Sequence, residues 1–386
     1  MKITDKLQSF IAENSANTPY LVIDLDKVES NYHLLSRFLP KVRCFYSVKS
    51  NASKHVLNAL KQFGSAFETA SIGEINACLS AGVQASNIHF GNTIKTVESI
   101  QQSYQLGVKS YAFDCTDELL KLAEHAPGSN LICRLSTDGV GATWGLCNKF
   151  GCSVNKAIEL LIKAKQHNMR RIGLSFHVGS QQKSPLAWKK ALLDAKAVAD
   201  ALQREGIVLD VINIGGGFPA SGYLDNAQQP VDYSFQHYGE SISQYIEEIF
   251  RGNEQIEFMC EPGRFLLSEA GCVKAKVILA ADRSSEEFTG RWLYLDVGKF
   301  NGLYEATDIK HPVIHSYEAN SETRPTILAG PSCDSEDMLT MKGDHYDLPV
   351  AISTGDFVVF ACTGAYSNSY TTVGFNGFPP LSEFYI

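Results

Sequence analysis

Short apolar runs alternate with amphipathic stretches from the start of the chain to about residue 265. The runs Tyr20–Asp24, Cys44–Lys49, Ala66–Thr69, Ile88–Gly91, Ser110–Phe113, Leu131–Leu135, Gly173–His177, Val211–Ile214 and Glu257–Glu261 read as buried strands. Between them Ser53–Phe63, Ile72–Ala81, Ser99–Leu106, Asp117–His125, Asn155–Asn168, Ala187–Glu205 and Tyr238–Phe250 carry helical periodicity. Ser184-Pro185 reads as the cap and first position of one of these helices. A repeated strand–helix order with strands apolar on both faces predicts a parallel sheet covered by helices. Nine candidates lie close to the eight strands of a closed barrel, with the first strand free to cross over from elsewhere. The expectation is a TIM-like (β/α)8 barrel over residues 20–264.

After Arg264 the rhythm changes. Cys272–Asp282, Arg291–Val297, Pro312–Tyr317, Thr326–Leu328 and Phe357–Cys362 read as strands separated by Pro325, Pro331, Gly343 and Gly355-Asp356, and convincing helices disappear. This predicts a second, mostly antiparallel β domain over 265–386, which residues 1–19 can join. Neither a solenoid-period repeat nor a low-complexity segment is visible.

The chain has 386 residues, 44% hydrophobic and 20% charged, enough for two domains with ample cores. A net charge of −8 with scattered Lys and Arg disfavours nucleic acid or an anionic membrane as a partner. No apolar run is long enough to span a bilayer, and Met1–Asn17 lacks the apolar core of a signal peptide. The ten cysteines include no Cys-x-x-Cys pair, and Cys147 and Cys152 lack a second pair at zinc spacing, so no metal site is expected. Cys44, Cys78, Cys133, Cys260 and Cys362 lie in hydrophobic runs and read as reduced core residues of a cytoplasmic protein.

Chemistry-capable residues gather at the strand ends that form the functional face of such a barrel: Lys49, Glu68, Arg134, His177 with Ser180, Gly215-Gly216-Gly217, and Glu261 with Arg264. Lys49 follows Cys44-Phe45-Tyr46-Ser47-Val48, where a strand hands over to a helix. An amine held there can form a Schiff base with a carbonyl cofactor, although a lysine snorkelling from a strand end also fits. Three consecutive glycines let backbone N–H groups cradle a phosphate, or simply make a tight turn. The segment matches neither Gly-x-Gly-x-x-Gly nor a Walker loop. In Glu261-Pro262-Gly263-Arg264, Glu261 can accept from a protonated pyridine nitrogen and Arg264 can grip phosphate, while a surface ion pair is the plainer reading. His177 can stack on a flat ring, or be an ordinary core histidine. Cys333 sits among turn residues and carboxylates in Gly330-Pro331-Ser332-Cys333-Asp334, where it can donate a proton and Asp334 can bind a cation; an exposed charged loop fits as well. Tyr366 can hydrogen-bond phosphate or simply pack in the β domain.

Together these motifs resemble the fold-type III pyridoxal-phosphate decarboxylases, the group acting on ornithine, lysine, diaminopimelate and arginine. The resemblance runs from Tyr20 to Phe378. Phe45-Tyr46-Ser47-Val48-Lys49-Ser50-Asn51, Phe176-His177-Val178-Gly179-Ser180, Gly215-Gly216-Gly217-Phe218-Pro219 and Glu261-Pro262-Gly263-Arg264 stand in the family's order and spacing. Lys149-Phe150-Gly151-Cys152, Tyr294-Leu295-Asp296-Val297-Gly298-Lys299-Phe300, the Cys333 loop and Val373-Gly374-Phe375-Asn376-Gly377-Phe378-Pro379-Pro380 are most similar to the short bacterial ornithine decarboxylase branch.

The resemblance implies a PLP-dependent carboxy-lyase with the barrel-plus-β-domain fold, working as a homodimer with shared active sites. It implies that Lys49 carries pyridoxal 5'-phosphate, that Glu68 and Arg134 lie near the ring, and that His177 stacks on it. Ser180, Gly215, Gly216, Gly217, Arg264 and Tyr366 would hold the phosphate, and Glu261 would pair with the pyridine nitrogen. Cys333 and Asp334 would reach in from the partner subunit, Cys333 as proton donor and Asp334 toward the substrate's distal ammonium. The family's second substrate carboxylate falls near Ala306–His311, where Asp308 is the candidate. The implied reaction is decarboxylation of L-ornithine to putrescine in polyamine biosynthesis. The alternatives are lysine or dual lysine/ornithine activity, diaminopimelate or another basic amino acid, and, outside enzymology, an inactive regulatory homologue. Thr143-Trp144-Gly145-Leu146 departs from the Glu-Trp-Pro-Leu usual in the bacterial branch.

Overall fold

The computed structural model describes residues 3–145, 149–284, 289–318 and 321–386. Leu146 and Cys147 lie outside the described residues. The chain divides into two compact units: residues 29–219 with 233–263, and residues 1–28 with 220–232 and 264–386.

The first unit contains a closed barrel of eight parallel strands, β1 (Val42–Ser47), β2 (Ala66–Thr69), β3 (Ile88–Phe90), β4 (Ser110–Phe113), β5 (Asn130–Arg134), β6 (Arg171–Ser175), β7 (Val211–Asn213) and β8 (Glu257–Cys260). Each strand pairs with its successor, and β8 closes onto β1 through Phe258↔Val42 to Cys260↔Cys44. Phe45, Ala66, Ile132 and Met259, from four different strands, form a buried cluster with Val211 packed against it. Such inward layers make the barrel a packed core rather than a channel.

The helices between the strands form where the pattern places them, and several begin at a side-chain cap. Ser53 accepts from the Val56 N–H ahead of Lys54–Gln62, Ser71 from Glu74 ahead of Ile72–Ser80, and Ser153 from Lys156 ahead of Val154–Gln166. Pro185 itself occupies the cap position of Leu186–Arg204, one residue later than expected; the Ser184 hydroxyl accepts from the Leu186 N–H instead. On that helix Trp188 is fully buried, stacks on Phe218 at 5.2 Å and donates its indole N–H to the Ile214 carbonyl at 3.2 Å.

Several expected strands end early. The β1 ladder stops at Ser47, and Lys49 lies in a 3-10 turn, Val48–Ser50, instead of in the strand. The β6 ladder stops at Ser175, two residues before His177. Apolar runs carry on past the strand ends because residues at the mouth stay buried; Phe176 and Ile214, just past β6 and β7, still donate to the Asn213 and Met259 carbonyls at 3.1 and 2.8 Å. A two-stranded sheet, Ala142–Trp144 with Ser180–Gln182, was not legible: three-residue strands leave no period to read.

In the second unit the strand Tyr20–Ile23 pairs with Gly271–Ser284 and with Ser382–Tyr385, not with the barrel. The barrel unit therefore starts later than the expected residue 20. Gly271–Ser284 also pairs with Phe357–Ala361 through its first half and with Thr289–Leu295 through its second, with a register shift between Val277 and Leu279. Val313–Ile314, Thr323–Ala329 and Tyr346–Pro349 complete this sheet of mostly antiparallel pairings.

Replacing Trp188 by Ala removes the stack, the hydrogen bond and a large buried side chain. The variant is expected to lose about 3–5 kcal/mol of stability, read as a lowered urea midpoint at unchanged transition slope.

Candidate active site

Six of the eight barrel strands deliver a predicted site residue at their C-terminal ends. Lys49 follows β1, Glu68 lies on β2, Arg134 ends β5, His177 follows β6, Gly215–Gly217 follow β7, and Glu261 follows β8. The ladder register Ser47↔Glu68↔His89 sets three polar residues side by side across β1, β2 and β3.

The Lys49 Nζ donates to Glu68 Oε2 at 3.2 Å, and the Ser47 hydroxyl donates to the same oxygen at 2.9 Å. The Glu68 side chain is 5% exposed and that of Lys49 46%, so the carboxylate is sealed while the amine stays reachable. Burial alone pushes the Glu68 carboxyl up. The Lys49 charge, the Ser47 hydroxyl and His89 outweigh it and hold the carboxyl below its usual range. Gly91 makes room for this side chain, since a Cβ there would come within 2.5 Å of Glu68 Oε1. Glu74, not singled out from the sequence, accepts from the Ala70 N–H at 2.6 Å. Burial pushes its carboxyl up, and it feels the charges of both Glu68 and Lys49.

Glu261 takes the Asn213 side-chain N–H on Oε1 at 2.5 Å, and its backbone N–H donates to the Gly215 carbonyl at 2.8 Å. Burial, then repulsion from Glu68, lifts its carboxyl to about 7 against the pull of Lys49, Asn213 and Arg134. His177 Nδ1 accepts from the Gly179 N–H at 3.0 Å, which leaves the proton of the neutral ring on Nε2. Burial and the charges of Arg134 and Lys49 push this imidazole down to about 3, so it is neutral at physiological pH. The Arg134 guanidinium lies 5.6 Å from the centre of the Phe150 ring.

The glycine turn is forced by close backbone approach. Cβ atoms at Gly215, Gly216 and Gly217 would come within 2.1, 2.5 and 2.2 Å of the carbonyl oxygens of Phe176, Glu261 and Gly179. Gly215 and Gly217 also have φ of +67° and +91°. The Gly215 N–H donates to the Asn213 side chain, whereas no acceptor among the described residues takes the N–H of Gly216 or Gly217. Ser180 opens the short strand opposite Trp144. A separate cavity of about 1090 Å³ lies at the opposite, N-terminal end of the barrel, lined by Arg43, Ser110, Asn130 and Arg171, and none of the predicted site residues borders it.

The remaining predicted residues belong to the second unit. Arg264 is buried and grips Glu305 with both arms, at 2.7 and 2.8 Å, while its guanidinium lies 4.6 Å from the Tyr366 ring centre. Its carboxylate partner is thus Glu305, which sequence spacing did not suggest, and the Glu261 charge three residues earlier is bonded to Asn213. Cys333 is exposed, and its backbone N–H and Sγ both lie on Asn376 Oδ1, at 3.1 and 3.2 Å. The loop that carries it is braced by buried Asp337, which accepts from the N–H of Lys299 at 2.7 Å and of Ser332 at 2.9 Å. A Cβ at Gly330 would meet Asp337 Oδ1 at 2.2 Å. Asp334 is exposed and accepts from the Glu336 N–H at 2.8 Å; Asp308 is also exposed, just after the turn Tyr304–Thr307. Among the described residues no group of three His, Cys, Asp or Glu side chains is placed to hold a metal ion, and no helix is long and apolar enough to cross a membrane.

The family model for the pyridoxal-dependent decarboxylases, pyridoxal binding domain, matches residues 25–268. The lysine/ornithine decarboxylase of Selenomonas ruminantium is 31% identical over 94% of this chain and 88% of its own length. The solved structure of SrLDC in complex with PLP and cadaverine matches all of this chain and 94% of that one, with a TM-score of 0.88 and 28% identity. That of the Paramecium bursaria Chlorella virus arginine decarboxylase bound to agmatine covers 98% of this chain and 100% of that one, with a TM-score of 0.86 and 27% identity. Fold and sequence therefore define a pyridoxal-phosphate enzyme built on a barrel and an antiparallel β unit. The chain belongs to the pyridoxal-dependent decarboxylases.

The residues present fit that cofactor. A reachable amine, a buried carboxyl without a full counter-charge, a neutral imidazole and unpaired N–H groups at a glycine turn are what an aldehyde, a pyridine nitrogen, a flat ring and a phosphate require.

The Glu261 carboxyl titrates about 7 in the fold against an ordinary 4.5. Between those values the folded chain keeps a proton that the unfolded chain releases. Its stabilising contribution is therefore full below about 4.5 and lost as pH rises through about 7. Urea midpoints of the cofactor-stripped protein should fall across this window more steeply than those of Glu261→Gln; parallel curves would refute the assignment.

Proposed function

We propose that this enzyme decarboxylates a basic L-amino acid, with L-ornithine as its main substrate and putrescine as product. The observation that carries the cofactor half of this reading is the Lys49–Glu68 pair beside buried Glu261 at the mouth of the barrel. The substrate half is supported by the similarity to lysine/ornithine and arginine decarboxylases and by Asp334, whose carboxylate suits a distal ammonium. A diaminopimelate-type substrate, carrying a carboxylate at its far end, would want a cation there instead. Lysine is the second reading, because one methylene changes discrimination by only about 1–3 kcal/mol.

Lys49 would hold the cofactor through Nζ, with Glu68 keeping the amine oriented at the pocket floor. Gly215, Gly216, Gly217, Ser180, Arg264 and Tyr366 would bind its phosphate; Glu305 fixes the orientation of the Arg264 guanidinium. Glu261 would take the pyridine N–H, His177 would cover one ring face, and Arg134 would steady the groups around it. Bound there, pyridoxal phosphate supplies an electron sink for the pair left behind when CO₂ departs. Cys333 Sγ would deliver the proton to the substrate's Cα, and Asp334, with Asp308, would hold the far ammonium. In this reading the active sites are shared across a homodimer, in the cytoplasm, and feed polyamine synthesis. Retention of Lys49, His177, Glu261, Arg264 and Cys333 argues against an inactive regulatory homologue.

Two measurements test this. CO₂ release should be fastest from ornithine, with lysine lower by a factor of about 10–200 and diaminopimelate inert; release from diaminopimelate alone would overturn the role of Asp334. Lys49→Ala should lose the cofactor's near-visible absorbance and lower turnover by several orders of magnitude. Borohydride reduction followed by peptide mapping should place the reduced adduct on Lys49, and an adduct on another lysine would refute the assignment.

A further inference from the structure

Two thiols that the proposed reaction does not use stand side by side near the mouth of the barrel. Cys133, on β5, is buried, and its Sγ lies 3.6 Å from the Sγ of Cys152, which is half-buried. The segment bearing Cys152 is laid along the end of β5. Its N–H donates to the Arg134 carbonyl at 2.9 Å, its carbonyl accepts from the Ser136 N–H at 2.9 Å, and it bridges Leu135. The neighbouring Gly151 N–H donates to Asp114 at 2.8 Å. Gly151, with φ of +93°, could carry a Cβ only within 2.7 Å of the Ser136 nitrogen, so this segment lies close against β5. The two sulfurs need to close by only about 1.5 Å to reach disulfide length.

The pair is asymmetric in a way that suits oxidation. Its hydrogen bond with Cys133 lowers the Cys152 thiol against the effects of burial and the Asp114 carboxylate, with Lys156 also favouring the thiolate. Burial, Cys152, Asp114 and Cys115 push the Cys133 thiol well up. One thiol is therefore the nucleophile and the other its resolving partner. The other close pair, Cys44 with Cys260 on adjacent barrel strands, is buried on both sides and has no such reachable member.

We propose that Cys133 and Cys152 form a peroxide-sensitive disulfide beside the active-site mouth. The Cys152 thiolate attacks a peroxide oxygen: an S–O bond forms, the O–O bond breaks, and hydroxide leaves and is protonated to water. The Cys133 sulfur then attacks the oxidised sulfur, an S–S bond forms, and a second water leaves with the Cys133 proton. Two thiols are oxidised by two electrons in all, and one hydrogen peroxide is reduced. The bond clamps the segment carrying Phe150, on whose ring Arg134 rests, to the end of β5. Nothing in this step depends on which amino acid the enzyme decarboxylates.

The test is to treat the holoenzyme with hydrogen peroxide, alkylate remaining thiols in denaturant, digest and read masses. The expected product is a linked pair of peptides containing Cys133 and Cys152, lighter than their sum by two hydrogens and split by dithiothreitol. Cys152→Ser should abolish it and leave Cys133 alkylated; Cys133→Ser should instead leave Cys152 as a sulfenic or higher acid. Should one variant not fold, the wild-type map still decides. Linkage of Cys133 to Cys115, or both thiols remaining alkylatable once exposed Cys333 has been oxidised, would overturn the proposal.

Discussion

The carboxylate of Glu68 is the constraint around which the barrel mouth is organised. A buried carboxylate must be paired or give up its charge. Here it is held ionised by two donors on the preceding strand and turn, the Ser47 hydroxyl and the Lys49 amine. That one requirement accounts for several features at once. Gly91, just past the end of the next strand, has to lack a side chain. Lys49 has to leave the ladder and enter a 3-10 turn, because a strand residue at that height would point along a fixed direction of the pleat rather than back toward β2.

The same ammonium also serves a second buried carboxyl. Burial raises the Glu261 carboxyl, Glu68 repels its charge and Lys49 favours it, and the balance leaves it protonated over part of the neutral range. Two carboxyls and one amine are thus short of one positive charge. A cation delivered beside Glu261 would relieve the shortage without rearranging Glu68. A site built this way suits a group that brings its own proton on a ring nitrogen. The neutral state of His177 follows first from its burial, and then from the positive charge that Arg134 and Lys49 already supply around it.

Much of this was legible in the residues. Strand and helix positions follow from apolar runs and their serine caps, and residues at strand C-termini proved to lie on one end of the barrel. What was not legible was of two kinds. Elements of three or four residues, such as Ala142–Trp144 and Ser180–Gln182, carry no readable period. Partners distant in sequence could not be inferred from spacing: Asn213 to Glu261 spans 48 positions and Arg264 to Glu305 spans 41. Proximity in Glu261-Pro262-Gly263-Arg264 suggested a pair, yet Arg264 is paired with Glu305 and Glu261 accepts from the neutral Asn213 amide. The turn between them sets the two side chains on different structural tasks.

The Arg264–Glu305 clamp shows how a buried arginine is held in place. A buried guanidinium with no acceptor would carry a large desolvation cost, so a permanent carboxylate partner stabilises it whether or not an anion is present. A bidentate grip uses two of the five N–H donors and fixes the plane of the rest. The carboxylate also lowers the net attraction the guanidinium can offer an oxyanion. Neutral donors carry no such opposing charge, and Gly216 and Gly217, whose N–H groups meet no acceptor among the described residues, are donors of that kind. Neutral backbone donors neither need a counter-ion when the phosphate is absent nor lose strength when pH changes, which suits a cofactor that must remain bound through every turnover.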